Sequence, residues 1–252
     1  DIIRAMDSAK ANGAGALGLV AAWKGIKKGA QLDMICESVK TMVEHGNVRP
    51  DVNLGIIDCQ ESADRLREAG VAVYGHNLET ARSFFDETCD SHDFDERWQT
   101  IQYIKSAGMN LCSGGIIGMG ETPEQRIEFA EQLRFIQPDM IPINFLNPLE
   151  GTGFSDRHPV DADEALITLA TFRFMLPDRN LMAAGGKEVT FGERQHEILK
   201  AGINAVMIGN YLTTLGTTPE YWHEQTLAYG LELPTGITEI EQGSGCGSGG
   251  CC

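Results

Sequence analysis

Short apolar runs bounded by glycine alternate along the chain with longer stretches whose apolar positions recur every three or four residues. The longer stretches have the period of an amphipathic helix, and the short runs read as buried parallel strands. Helical periodicity covers 33–45, 61–69, 94–107, 123–135, 161–175 and 191–200. One junction recurs at AKANGAGALGLV (9–20), LREAGVAVYGHN (66–77), IKSAGMNLCSGG (104–115) and LKAGINAVMIGN (199–210). Each sets a basic residue in a last helical turn, then a Gly, then a short apolar run. The cation suits the negative end of the helix dipole, and Gly suits the left-handed position that closes a helix. Thr122-Pro123-Glu124-Gln125 predicts a helix start, with Thr as cap, Pro at the first position and Gln three after the cap. Further strands fit at 52–58, 140–147 and 180–185, although Pro142 removes a ladder donor and demands a bulge.

Seven strands alternating with helices predict an α/β fold, a (β/α) TIM-type barrel. A closed barrel of this kind has eight strands, and the helix over 1–12 precedes the first strand found. The missing first strand is therefore expected upstream of Asp1, and an open doubly wound sheet is the alternative. Either architecture puts the ligand site at the carboxyl ends of the strands. The expected organisation is a barrel over 1–217, an extension over 218–242 and a Gly/Ser/Cys tail over 243–252.

Composition narrows the function. At 252 residues and 42% apolar content the chain can bury one large core. A net charge of −16 repels phosphate backbones and anionic lipid, so neither nucleic acid nor a membrane is an expected partner. No apolar run approaches the roughly 20 residues that span a bilayer. Cysteine is odd in number, 7, and scattered outside the tail, which argues against a disulfide framework and for cytoplasmic thiols in metal or redox chemistry. Three of them, Cys246, Cys251 and Cys252, stand in GSGCGSGGCC.

Polar amides and glycines gather at the strand exits: Ala21 to Lys24, Asp58-Cys59, His76 to Glu79, Gly114 to Glu121, Asn144 to Asn147, and Ala184 to Glu188. Such a rim can hydrogen-bond a polar ligand and let backbone approach it closely. Two Asn side chains, each donor and acceptor, could grip an amide or urea. His76 reads first as a structural histidine, Cys112 as a small buried residue, and GGIIGMGE as a tight turn rather than a dinucleotide fingerprint.

At AAWK (21–24), YGHNLET (74–80), LCSGGIIGMGET (111–122), IPINFLNPLEGT (141–152) and 183–188 the chain resembles the biotin synthase family of radical S-adenosylmethionine enzymes, from residue 1 to about 215. The resemblance implies a (β/α) barrel and radical-mediated insertion of sulfur into dethiobiotin. A [4Fe–4S] cluster and S-adenosylmethionine would generate the radical, and an auxiliary iron–sulfur cluster would give up the sulfur. Only radical chemistry opens an alkyl C–H bond, which offers neither proton nor leaving group, and the cofactors carry it. Carried over by motif, Ala21, Asn77, Glu79 and Ile116 would bind S-adenosylmethionine, and Asn77 and Asn144 dethiobiotin. Flavodoxin or ferredoxin as electron donor and a homodimer are implied likewise.

Three departures from the family pattern matter. The CxxxCxxC motif of the radical-generating cluster is absent from these residues, so the chain as written is expected to be truncated, without that cluster and inactive. Of the four barrel ligands of the auxiliary cluster only Cys112 remains; Gly18 and Asp51 stand at two thiol positions, and Gly186 at the arginine position. Gly75 replaces a polar residue beside the substrate. Cys246, Cys251 and Cys252 are therefore expected to ligate the auxiliary cluster, with Cys112 or Cys59 as fourth ligand. Alternatives are another radical enzyme of the same clade, akin to a hydrogenase maturase or methylornithine synthase, and an inactive metal-binding scaffold.

Overall fold

The protein is described by a computed structural model over residues 1–11, 14–209 and 216–232. In chain order its strands are β1 (Ala16–Val20), β2 (Gly25–Ile26), β3 (Arg49–Asn53), β4 (Ile56–Ile57), β5 (Val73–Gly75), β6 (Asn110–Cys112), β7 (Gly115–Ile117), β8 (Met140–Phe145), β9 (Asn180–Ala183) and β10 (Ala205–Val206). The helices are α1 (Ile2–Ala11), α2 (Ala30–His45), α3 (Gln60–Ala69), α4 (Arg82–Phe85), α5 (Phe94–Ser106), α6 (Pro123–Ile136), α7 (Ala162–Met175), α8 (Lys187–Phe191) and α9 (Pro219–Ala228). Among the described residues no helix is long and apolar enough to cross a membrane. These residues form two compact units, 1–77 with 94–112 and 78–93 with 113–232.

In the first unit β1, β3, β5 and β6 run parallel in that order, with Gly18 opposite Asp51, Asp51 opposite Val73 and Gly75 opposite Cys112. Strand alternation sorts the residues. Pro50, Val52, Tyr74 and Leu111 are buried on the face where α2 packs on β3 and α5 on β6. Gly18, Arg49, Asp51, Asn53, Gly75 and Cys112 occupy the opposite, accessible face. Helix α2 buries Leu32, Ile35, Cys36, Val39 and Met42 at helical spacing, and closes on Gly46 at φ +69° with its N–H on the Met42 carbonyl. The repeated junction behaves as its sequence predicts: Gly70 and Gly108 end α3 and α5 at φ +108° and +74°.

In the second unit β7, β8, β9 and β10 are parallel neighbours in that order. Helix α6 opens with the predicted capping box, Thr122 and Gln125 each accepting the other's backbone N–H. Asp161 caps α7 through the N–H groups of Asp163 and Glu164. The two helices meet through Phe129 and Phe172, edge to face at 5.8 Å.

Several expectations are corrected. Residues 52–58 are two strands, β3 and β4, because the chain breaks at Gly55 (φ +77°), where a Cβ would lie 2.6 Å from the Lys24 carbonyl oxygen. The GGIIGMGE segment is not turn throughout: β7 occupies its start and was missed. The stretch 191–200 is a 3-10 helix, Gly192–Leu199, preceded by α8. Pro142 lies inside β8 in register with Met182, and the irregularity it requires falls on the segment packed beside it. There Ser113 and Gly114 belong to no strand, and Gly114 packs so closely that a Cβ on it would sit 1.9 Å from the Pro142 oxygen.

Candidate functional site

Glu79 adopts φ +73°, a left-handed conformation that residues other than Gly seldom hold. Its N–H donates to the Gly114 carbonyl at 3.1 Å, and its own carbonyl accepts the Ile116 N–H at 2.8 Å. Gly115 permits this approach, since a Cβ there would fall 2.0 Å from the Glu79 oxygen. Two of the predicted site residues, Glu79 and Ile116, are thereby brought side by side. Strain of this kind persists where the surroundings over-determine it, and it concentrates at ligand sites.

Beyond β7 the chain turns at Gly118 (φ +98°) and Gly120 (φ +117°). The buried Glu121 carboxylate organises this turn by accepting the Gly118 N–H at 2.7 Å, the Gly120 N–H at 3.1 Å and Arg126 Nε at 2.8 Å. Arg126 Nη1 continues to Glu164 and the Thr168 hydroxyl. The turn that follows Ile116 is thus fixed by a charge network.

Asn144, on β8, spends its carboxamide on backbone. Nδ2 donates to the Gly115 carbonyl at 3.2 Å and Oδ1 accepts the Gly185 N–H at 3.0 Å. Gly186 (φ +83°) packs so close that a Cβ would lie 1.9 Å from the Phe145 oxygen. Beside it the buried Lys187 pairs with Glu188 at 2.6 Å.

In the first unit the Ala21 N–H is held by the Asn53 carbonyl at 3.0 Å. Arg97 Nη1 donates to the Asn77 carbonyl at 2.8 Å. His76 is buried, with its N–H on the Cys112 carbonyl, as a structural histidine would be. Asp51 is bound in two-point fashion by Arg49, Nε to Oδ1 and Nη2 to Oδ2, both 2.9 Å. Burial raises the Asp51 pKa despite Arg49.

The donor set for an iron–sulfur cluster is not assembled among the described residues, which hold no group of three or more metal-ligating side chains. Cys36 is buried against the Arg65 carbonyl, with its pKa raised by burial. Cys59 contacts Ser62, Cys89 lies 3.3 Å from His92 Nδ1, and Cys112 is half-buried on β6. Cys246, Cys251 and Cys252 lie outside the described residues. The strained Glu79 lies beside the apolar Ile116, ahead of the glycine turn.

Comparison with known proteins decides the family. The chain is 43% identical over 231 residues to a biotin synthase of Pelobacter propionicus, covering 92% of the chain and 70% of that protein. With a biotin synthase of Geobacter sulfurreducens it shares 45% identity over 226 residues, 89% of the chain and 68% of the relative. The chain belongs to the biotin synthase family. Consistent with that membership, residues 23–133 match the radical SAM superfamily and 142–232 the biotin and thiamin synthesis associated domain. The fold is the α/β TIM-type fold of radical S-adenosylmethionine enzymes. A solved methylornithine synthase superposes with a TM-score of 0.73 at 19% identity, covering 92% of this chain and 72% of its own. For a hydrogenase maturase, HydG, the figures are 0.71 and 16%, with 91% and 55% covered. Superfamily membership brings S-adenosylmethionine and an iron–sulfur cluster as the cofactors of the family.

Sequence reasoning missed Arg126, Arg97 and Asn53. Arg126 falls in the first turns of a helix, where a cation is unfavourable against the dipole, and that misfit was the available signal.

Proposed function

We propose that the protein is a biotin synthase that inserts sulfur into dethiobiotin. The observation that carries this reading is the 43–45% identity to biotin synthases along nine-tenths of the chain. S-adenosylmethionine with its reducing cluster supplies the radical chemistry that an unactivated C–H bond demands. The protein's part is to bind, orient and shield. Glu79 offers its carboxylate to the ribose hydroxyls with Asn77, and Ile116 gives the adenine an apolar face. The Ala21 carbonyl serves the methionyl end, its N–H being taken by Asn53. The Glu121–Arg126 pair keeps the turn behind Ile116 rigid. Asn77 and Asn144 present amides to the ureido ring; Asn144 does so with the donor and lone pair left over from its two backbone bonds.

Cys246, Cys251 and Cys252, with Cys112 or Cys59, ligate the auxiliary cluster in this reading. Four-thiolate ligation of that kind is the usual arrangement for iron–sulfur clusters. Flavodoxin or ferredoxin delivers the electron, and the protein works as a cytoplasmic homodimer. The test is anaerobic reconstitution, with iron and sulfide, of the protein carrying a CxxxCxxC segment upstream of Asp1, then incubation with S-adenosylmethionine, a reductant and dethiobiotin, with biotin read by mass spectrometry. Biotin should form, and replacing the three tail cysteines with Ala should lower bound iron and abolish product. Unchanged iron in that variant would refute the tail ligation, and no biotin from the reconstituted protein would refute the activity.

A further inference from the structure

We infer that Asn53 is a substrate-binding residue, its carboxamide carried over the end of β5 from the neighbouring strand β3. Asn53 is the last residue of β3 and Gly75 the last of β5, and β3 and β5 are hydrogen-bonded neighbours in parallel register. A Cβ built on Gly75 would lie 2.2 Å from Asn53 Oδ1, 2.6 Å from Cγ and 2.8 Å from Nδ2. The whole carboxamide therefore fills the volume in which a side chain at 75 would begin. Gly75 has an unremarkable φ, so its missing side chain answers a need for space rather than for backbone freedom.

The amide is placed and unspent. Asn53 is exposed on the accessible face of the sheet, and among the described residues no hydrogen bond engages its carboxamide. Its backbone, by contrast, is anchored, the carbonyl accepting the Ala21 N–H. Asn144 offers the opposite case, an amide committed at both ends to backbone. An amide presents one donor and one acceptor in a plane, which matches the C=O and N–H edge of a cyclic urea. Gly75 lies directly opposite Cys112, so the free carboxamide, seated over Gly75, and a thiol occupy one row at the strand ends. The ligand assigned to Asn53 is accordingly the ureido ring of dethiobiotin, an assignment that rests on the function proposed above.

The experiment is equilibrium binding of dethiobiotin and, separately, of S-adenosylmethionine to the anaerobically purified protein. Asn53→Ala should weaken dethiobiotin by about tenfold, the usual cost of one hydrogen-bonding partner, and change S-adenosylmethionine much less. Gly75→Ala should do the same by driving the carboxamide aside, and Gly75→Asn in the Asn53→Ala background should recover most of the affinity. That recovery is the outcome a merely structural role would not give. Far-ultraviolet circular dichroism confirms that each variant is folded, which is expected because Asn53 is exposed. Equal dethiobiotin affinity in Asn53→Ala and the unaltered protein overturns this inference alone, and so does a loss confined to S-adenosylmethionine. Absence of dethiobiotin binding by the unaltered protein overturns the proposed function and this inference with it.

Discussion

Arg126 Nε stands 2.8 Å from Glu121 Oε1, with the two side chains only 8% and 2% exposed. The same carboxylate closes the glycine turn behind Ile116, so one ion pair ties the α6 helix to the candidate cofactor site. Replacing one partner leaves a desolvated charge alone, at a cost of about 3 kcal/mol or more. Arg126→Met should therefore lower unfolding stability by about that amount in urea titrations and also weaken S-adenosylmethionine binding. Stability within about 0.5 kcal/mol of the unaltered protein would show that the pair does not hold the turn.

The Arg49–Asp51 pair predicts a pH dependence. Burial is the larger influence on Asp51 and raises its pKa; Arg49 opposes it. The native state then holds this proton more tightly than the unfolded chain does. Stability owed to Asp51 is accordingly greatest at acid pH and falls as pH rises from the ordinary carboxylate range through the raised value. Arg49→Ala removes the opposing interactions and pushes the pKa higher still. It should cost about 3 kcal/mol at pH 7 and clearly less near pH 4. Equal losses at both pH values would contradict the assignment.

Close backbone contacts predict intolerance at two glycines. A Cβ at Gly114 would lie 1.9 Å from the Pro142 oxygen, and one at Gly186 equally near the Phe145 oxygen with φ at +83°. Neither obstacle is a side chain that can swing away. Each Ala substitution should lower stability by about 3 kcal/mol or leave the protein insoluble, whereas Gly153→Ala, with nothing within 4 Å, should shift the melting midpoint little.

The Thr122–Gln125 capping box gives a smaller effect. Thr122→Ala should cost about 1 kcal/mol in thermal or urea unfolding, since Thr122 satisfies a backbone donor at the start of α6.

That cap was legible in the sequence for the same reason: it is local chemistry, four consecutive residues whose geometry needs no tertiary partner. The junction glycines were legible likewise, and so was the alternation of strands and helices. Strand β7 was hidden because GGIIG lacks the length of a strand and carries the glycines of a turn; its pairing to β8 makes it one. The break at Gly55 was hidden because it depends on Lys24, thirty-one positions earlier in the chain. Glu79 and Ile116 were identified through family motifs, but their adjacency through Gly115 is a matter of folding. Asn53 carried no motif at all; what marks it is the hole at Gly75, visible only when the strands are laid together.

Asn144 acts as a rivet, its head fastened to Gly115 and its shank to Gly185. A variant such as Asn144→Ala thus loosens two segments of scaffolding at once, and any turnover it loses reports architecture first. Asn144→Asp keeps the Gly185 fastening but sets a carboxylate oxygen against the Gly115 carbonyl, so that only one segment comes loose.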